Sequence, residues 1–372
     1  MIKILIIGIL FFLLYMLQLN VYKRLWHKNL NVNLSFARDH IFQGEQGELQ
    51  EIIENRKHLP LAMLKVKFQT DRNLDFGSAK GSRTTDQYYR NDVFRIGGGE
   101  KVTRTLKFQG KKRGYYTIEG ADLVAADLLL TASFVTEAQT QTALYVYPMP
   151  YDSEELRRSL IRLSGEILTR QHLLEDPFEF RGIREYQPYD NMRTINWKAT
   201  ARTGDLKVNR KNYTSLKYVR IFFNIQDDGI LKKEDCVEAC LSIVAGISSG
   251  FLSQGLQVSC QGNGMDLVTE SYVTVPARGG EGQIDNIYRA LARIDLDKTP
   301  VNFTETFREK ILLQSGDMIT CFVAPNQYDD FLELLREYRD SGRDYRWFYP
   351  VSGNSDPELP GDLKSHIQII HI

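Results

Sequence analysis

Residues 4–19, ILIIGILFFLLYMLQL, are apolar apart from one Gln, so this stretch must lie in lipid or be covered by protein. With its flanks the run reaches about 20 residues, the length a helix needs to cross a bilayer. Asn20 and Lys23 end it, and Tyr22, Arg24 and Trp26 stand where a signal peptide would place a small-residue cleavage site. The expectation is an uncleaved membrane anchor rather than a secretory signal. Lys3 is the one cationic side chain before the run, whereas Lys23, Arg24 and Lys28 follow it. That asymmetry predicts a single-pass protein with the bulk of the chain in the cytoplasm, and with Tyr22 and Trp26 at the membrane–water boundary.

The 372 residues leave room for two or three domains. Lys plus Arg and Asp plus Glu both number 47, and a net charge of zero argues against nucleic acid as the main partner. Cys236, Cys240, Cys260 and Cys321 sit inside apolar runs without a CxxC pair, which reads as reduced core thiols.

Between residues 29 and 150 short β-type runs recur, among them NVNLSF, ELQEII, LAMLKVKF, DVFRI, KVTRTLKF, YYTIEG and ALYVYP. Turn signals such as GEQGE and GSAKGS separate them, and this spacing predicts an antiparallel β-sandwich. The triple glycine, Gly97 to Gly99, precedes a strand rather than a helix, so it reads as a hairpin turn and not as a phosphate cradle.

After Pro150 the texture changes. Ser153 is a candidate N-cap for a helix with Glu154 and Glu155 in its first turn. From Tyr218 strands and helices alternate: YVRIFFNI, CVEACLSIVAGISSGFLSQG, LQVSCQG, GQIDNIYRALARI, DMITCFVA, YDDFLELLREYRDS and DYRWFYPV. Such alternation predicts an α/β domain with a mostly parallel sheet and helices on both faces, its ligand site beyond the carboxyl ends of the strands.

Catalytic signatures are missing. The chain has no G-x-x-x-x-G-K-[ST], no G-x-S-x-G and no H-E-x-x-H, and its six histidines are scattered. Asn224, Gln226 and Asp228 form an alternating oxygen-bearing loop that suits a hard cation in outline, but two of the three are amides, so no metal is expected there. The acid pairs Asp227/Asp228 and Asp329/Asp330 fit a turn and a helix start.

The densest polar signal spans residues 178–211, FEFRGIREYQPYDNMRTINWKATARTGDLKVNRK, where arginines and lysines alternate with acids, Tyr186, Tyr189 and Trp197. So many charges suit no buried strand, and the interleaved aromatics suit no simple solvated loop. The segment closely resembles the signature of the bacterial domain-of-unknown-function 58 family, EF..(L/I)REY.PGD..R.I.W..(S/T)AR.G.L.V. Glu179, Phe180, Arg184, Glu185, Tyr186, Pro188, Asp190, Arg193, Ile195, Trp197, Ala201, Arg202, Gly204, Leu206 and Val208 match it position by position. RGYYTIEGADLVAADLL and the LYVYP strand are also similar to the family, so the resemblance covers nearly the whole chain. Two departures stand out: Tyr189 replaces the usual Gly, and Asn224-x-Gln226-x-Asp228 replaces the D-x-S-x-S metal pattern of true von Willebrand factor A domains. Pro325 and Asn326, rather than Asp, follow the CFVA run.

The resemblance implies a multidomain protein: anchor at 1–28, β-sandwich at 29–150, linker helix and signature at 151–217, and a von Willebrand A-like α/β domain at 218–372. It implies a non-catalytic adaptor without cofactor, acting with a MoxR-type AAA+ ATPase on a client protein. Arg, Tyr and Trp are residues enriched in interface hot spots, which suits docking through Glu179, Phe180, Arg184, Glu185, Tyr186, Asp190, Arg193, Trp197 and Arg202. Alternatively Arg184, Glu185, Asp190, Arg193 and Arg202 form an internal ion-pair network tying the segment to the α/β domain. The rival readings are an envelope-associated hydrolase using Glu179, Glu185 and Asp190, and a divalent-metal adhesion-like module using the Asn224 loop.

Overall fold

The computed structural model describes residues 2–77, 82–84, 87–173, 175–213, 218–227, 234–313, 318–353 and 357–372, with backbone alone at 82–84, 166–173, 175–181, 210–213 and 313. The chain divides into two compact units, Met1–Met149 and Pro150–Ile372.

The apolar run is a 24-residue helix, Ile2–Leu25, long and apolar enough to cross a membrane. Its last turns do not stand apart from the sandwich. Tyr15, Gln18, Leu19, Tyr22 and Trp26 recur at helical spacing along one covered stripe, while residues 2–14 are exposed. Tyr22 and Trp26 are both 3% exposed, so they are core residues rather than the boundary aromatics expected from their position. Tyr22 donates its hydroxyl proton to the Pro60 carbonyl at 2.8 Å, and Trp26 stacks on Phe134. The sandwich offers these rings apolar burial and a buried acceptor, which outweighs a place in the headgroup layer.

The first unit is a β-sandwich. One sheet runs Leu30–Phe36, Gln46–Asn55, Lys101–Gly110, Leu74–Asp75, and a second runs Ser133–Ala138, Ala121–Ala126, Leu61–Asp71, Gln87–Ile96, Ser82–Thr84. Both are antiparallel. A third, smaller sheet pairs Thr142–Tyr147 with Gly114–Ile118 antiparallel and with His40–Phe42 parallel, an exception to the all-antiparallel expectation. Alternate residues point inward, so Leu49 and Ile53 join Leu64, Val66 and Phe94 in one core. The triple glycine is not a hairpin turn, because Gln87–Ile96 and Lys101–Gly110 lie in different sheets. It carries the chain from one sheet to the other, with Gly98 so close to the His58 carbonyl that a side chain there would collide. The strands Ala121–Ala126 and Ser133–Ala138 add to those expected.

The second unit opens with the helix Glu154–Leu173, whose Ser153 hydroxyl accepts from the Leu156 amide at 3.1 Å. Gly246 and Gly250 on the helix Glu234–Ser253 let Tyr151 and Leu160 approach, and Tyr151 bonds to the Ser242 carbonyl at 2.9 Å. The helix Glu234–Ser253 is itself long and apolar enough to cross a membrane, yet 67% of its apolar stretch is buried, which marks a core helix.

The sheet of this unit is mixed, in the order Tyr272–Arg278, Gln257–Asp266, Tyr218–Phe223, Ile319–Val323, Tyr345–Val351, Ile367–His371. Tyr218–Phe223 pairs parallel with both neighbours, and the parallel run continues through Tyr345–Val351 to Ile367–His371. Tyr272–Arg278 and the short Ile294–Asp295 pair antiparallel with Gln257–Asp266. These strands, Ile367–His371 and the helix Phe303–Leu313 are additions to the expected alternation. Phe303, Phe307, Phe331 and Leu335 pack with Phe222 and Phe322 on one face. All four cysteines are free and buried, and burial pushes the Cys321 thiol up to about 12.

Candidate functional site

The signature segment folds as an antiparallel hairpin of Glu175–Glu185 with Lys207–Tyr213, capped by a structured excursion at 186–206. Arg184 grips Asp190 through two parallel bonds of 2.6 Å each, and the Gln187 amide adds a third at 2.8 Å. The Arg184 guanidinium, helped by that amide, holds the Asp190 carboxyl below the usual carboxylate range. Arg184 also donates to the Glu185 carbonyl at 3.0 Å, and Lys207 reaches the Glu185 carboxylate at 3.2 Å.

Beyond the turn, amides and hydroxyls take over from charges. Asn191 caps the short 3-10 turn Met192–Thr194, accepting from the Arg193 amide at 3.1 Å. Asn196 caps the helix Trp197–Thr203 through the Ala199 amide and bonds to Asn209 at 2.7 Å. Gly204 ends that helix at φ 83°, a left-handed conformation that favours glycine. Tyr189 needs no such allowance, since it is not among the described non-glycine residues with positive φ. Ile195 and Val208 bridge beneath the excursion and are buried.

This frame presents a coherent exposed set. Tyr189 is 82% exposed, Met192 67% and Trp197 64%, while Arg193 and Arg202 are exposed and have no carboxylate partner among the described residues. Arg184, Glu185 and Asp190 thus hold the frame, and their ion pairs with each other and with Lys207 lie within the segment. Tyr186 is half-buried, with its amide on the Leu206 carbonyl at 2.9 Å. The side chains of Glu179 and Phe180 lie outside the described residues. Sequence reasoning named Tyr189 among the aromatics of the segment but left it out of the docking residues, and it passed over Met192.

Of the three candidate carboxylates, the side chain of Glu179 lies outside the described residues, and the other two are held in ion pairs. Asp190 is locked to arginine as an anion, and Glu185 is an exposed partner of Lys207.

At the carboxyl ends of the parallel strands lies an amide lock. The Asn224 side-chain oxygen accepts from the Gln226 amide at 2.9 Å and from Asn263 at 2.8 Å. Asn263 also binds the Ile225 amide and the Val301 carbonyl, each at 2.9 Å, and Asn326 donates to the Gln226 carbonyl. The Gln226 side-chain oxygen accepts from the Phe303 amide at 3.4 Å. Both Asn224 and Asn263 are buried, and the side-chain oxygens of Asn224 and Gln226 are engaged by protein donors. Asp228 lies outside the described residues, and among the described residues no cluster of three His, Cys, Asp or Glu could hold a metal.

No family model matches the chain, and no curated protein matches it. Solved structures give partial likenesses. A non-cellulosomal cohesin from Archaeoglobus fulgidus is 14% identical, covering 35% of this chain and 97% of its own, with TM-score 0.23. A CARDB domain from Pyrococcus furiosus is 15% identical, covering 30% and 91%, with TM-score 0.21. A type II cohesin domain from the cellulosome of Acetivibrio cellulolyticus is 8% identical, covering 31% and 95%, with TM-score 0.24. Likenesses this slight leave function to the chain's own geometry.

Proposed function

We propose that this chain is a non-catalytic, membrane-anchored adaptor similar to the domain-of-unknown-function 58 family, docking a MoxR-type AAA+ ATPase or its client through the excursion of the signature hairpin. The observation that carries this reading is the exposed set Tyr189, Met192, Arg193, Trp197 and Arg202 on a frame fixed by Arg184 and Asp190. An aromatic and apolar centre flanked by guanidinium groups that have no carboxylate partner among the described residues is the composition of a protein-binding hot spot with acidic complements. The mostly parallel run of strands from Gln257–Asp266 to Ile367–His371, with helices packed on it, supports a von Willebrand A-like reading of the second unit. The helix Ile2–Leu25 serves as a single-pass anchor with the bulk of the chain in the cytoplasm. Its docking through Tyr22 and Trp26 supports retention, since removal of the whole helix Ile2–Leu25 would strip Tyr22 from the sandwich core.

The test is binding of the full chain in nanodiscs to a purified MoxR-type ATPase. Trp197→Ala and Arg193→Ala should each weaken binding about tenfold or more while leaving thermal unfolding unchanged. Unchanged binding by both, in a protein that does bind, removes this surface; no binding by the unaltered chain removes the ATPase.

A further inference from the structure

We propose that Leu128, Leu129 and Leu130 form a lipid-inserting finger that dips into the bilayer leaflet beside the anchor helix, a proposal that rests on reading Ile2–Leu25 as a membrane span. The three leucines occupy the turn between Ala121–Ala126 and Ser133–Ala138 and are 55%, 59% and 60% exposed. A soluble turn is ordinarily polar, and three successive exposed leucines gain nothing from water. Leu130 also adopts φ 59°, a left-handed conformation disfavoured for a side chain of its size. Glycine or asparagine would relieve that strain, so the leucine is held there for its apolar surface.

The turn is tied to the helix. Asp127 is buried at its base, accepting from the Thr131 and Ala132 amides at 2.7 and 2.8 Å and from Gln18 of the helix at 2.8 Å. Thr131 meets the Tyr15 hydroxyl at 3.3 Å. The finger therefore lies at the level of Tyr15 and Gln18, inside the apolar run and not at the cations Lys23 and Arg24 that follow it.

Length makes this decisive. Residues 2–14, the part of the helix exposed on all sides, rise only about 20 Å at 1.5 Å per residue, whereas the hydrocarbon core is about 30 Å thick. A spanning helix must sink residues 15–19 to the edge of the hydrocarbon, and the turn bonded to them sinks too. That depth, some 5–10 Å below the headgroup boundary, is where interfacial apolar side chains reside. The occupant is lipid rather than a protein, because the surface is continuous with a helix that itself needs lipid.

All four natural cysteines are buried, so Leu129→Cys can be labelled selectively with an environment-sensitive nitrobenzoxadiazole dye in the full chain. The labelled chain is placed in phosphatidylcholine–phosphatidylglycerol vesicles carrying nitroxide-labelled lipid. Phe11→Cys on the exposed helix and Thr105→Cys on the outer face of the sandwich serve as references. The expected result is a blue-shifted dye at position 129, quenched about fivefold more than at position 105 and approaching position 11. Quenching at 11 with none at 129 overturns the finger and leaves the anchor standing, and a blue shift at 129 without quenching overturns it in favour of a protein cover. Absence of quenching at 11 overturns the anchor and the finger together.

Discussion

Glu51 offers the sharpest quantitative test of the sandwich. It lies between Leu49 and Ile53 on the inward face of Gln46–Asn55, fully buried, and neither carboxyl oxygen has a hydrogen-bond partner among the described residues. Nearby Asp92 takes both available guanidinium groups, from Arg90 and, at 2.8 Å, from Arg104. Burial, and then the Asp92 charge, push Glu51 from 4.5 up to about 8 against the pull of Arg104 and Arg90. The folded state therefore holds the Glu51 proton more tightly than the unfolded chain does. This contribution to stability is complete below pH 4.5 and is lost as the pH rises to about 8. At 1.36 kcal/mol per unit the full loss is about 5 kcal/mol, of which about 3 kcal/mol is gone by pH 7. Glu51→Gln keeps the size of the side chain and removes the group that ionises. It should raise stability at pH 7 by up to about 3 kcal/mol, a shift of about 2 M in urea midpoint for a slope near 1.5 kcal/mol/M. Pulse proteolysis in urea at pH 5, 7 and 9 reads the two units separately through their fragments. Equal pH dependence of the unaltered protein and of Glu51→Gln would refute the buried-proton argument.

Asn263→Ala strips the amide lock of bonds to Asn224, Ile225 and Val301 and should destabilise the second unit by about 3 kcal/mol, measured by the same proteolysis. Leu130→Gly should leave the first unit unchanged or more stable by up to about 1 kcal/mol, since glycine accepts the positive φ; a clear loss of melting temperature would contradict the strain. The four thiols should resist a disulfide reagent at pH 8 in the folded protein and react together in urea, because burial raises the pKa of Cys240, Cys260 and Cys321; rapid native labelling would contradict their burial.

The parts legible in the chain are those governed by local periodicity. Alternation in ELQEII and KVTRTLKF gave strands with one wet face, and the 3.6-residue repeat in YDDFLELLREYRDS gave the helix Asp329–Asp340. Strand parity also places Glu51 on the face of Leu49 and Ile53, a buried acid that attention to parity would have found. What stayed hidden depends on distant partners. Tyr272–Arg278 exists as a strand because Gln257–Asp266 has a free edge, and the signature arginines look alike until Asp190 selects Arg184 and leaves Arg193 and Arg202 at the surface.

The amino-acid order alone determined that an apolar helix begins the chain, that a β-rich half precedes an alternating half, and that no familiar catalytic signature is present. These follow from hydrophobicity and spacing, which act over a few residues. Tertiary packing decided that Tyr22 and Trp26 belong to a core, that Asn224 bonds to Asn263 rather than offering itself to a cation, and that three leucines lie beside Gln18. Each of those outcomes joins groups about 40 to 110 residues apart, where only the folded chain can bring a donor to an acceptor or one apolar surface to another.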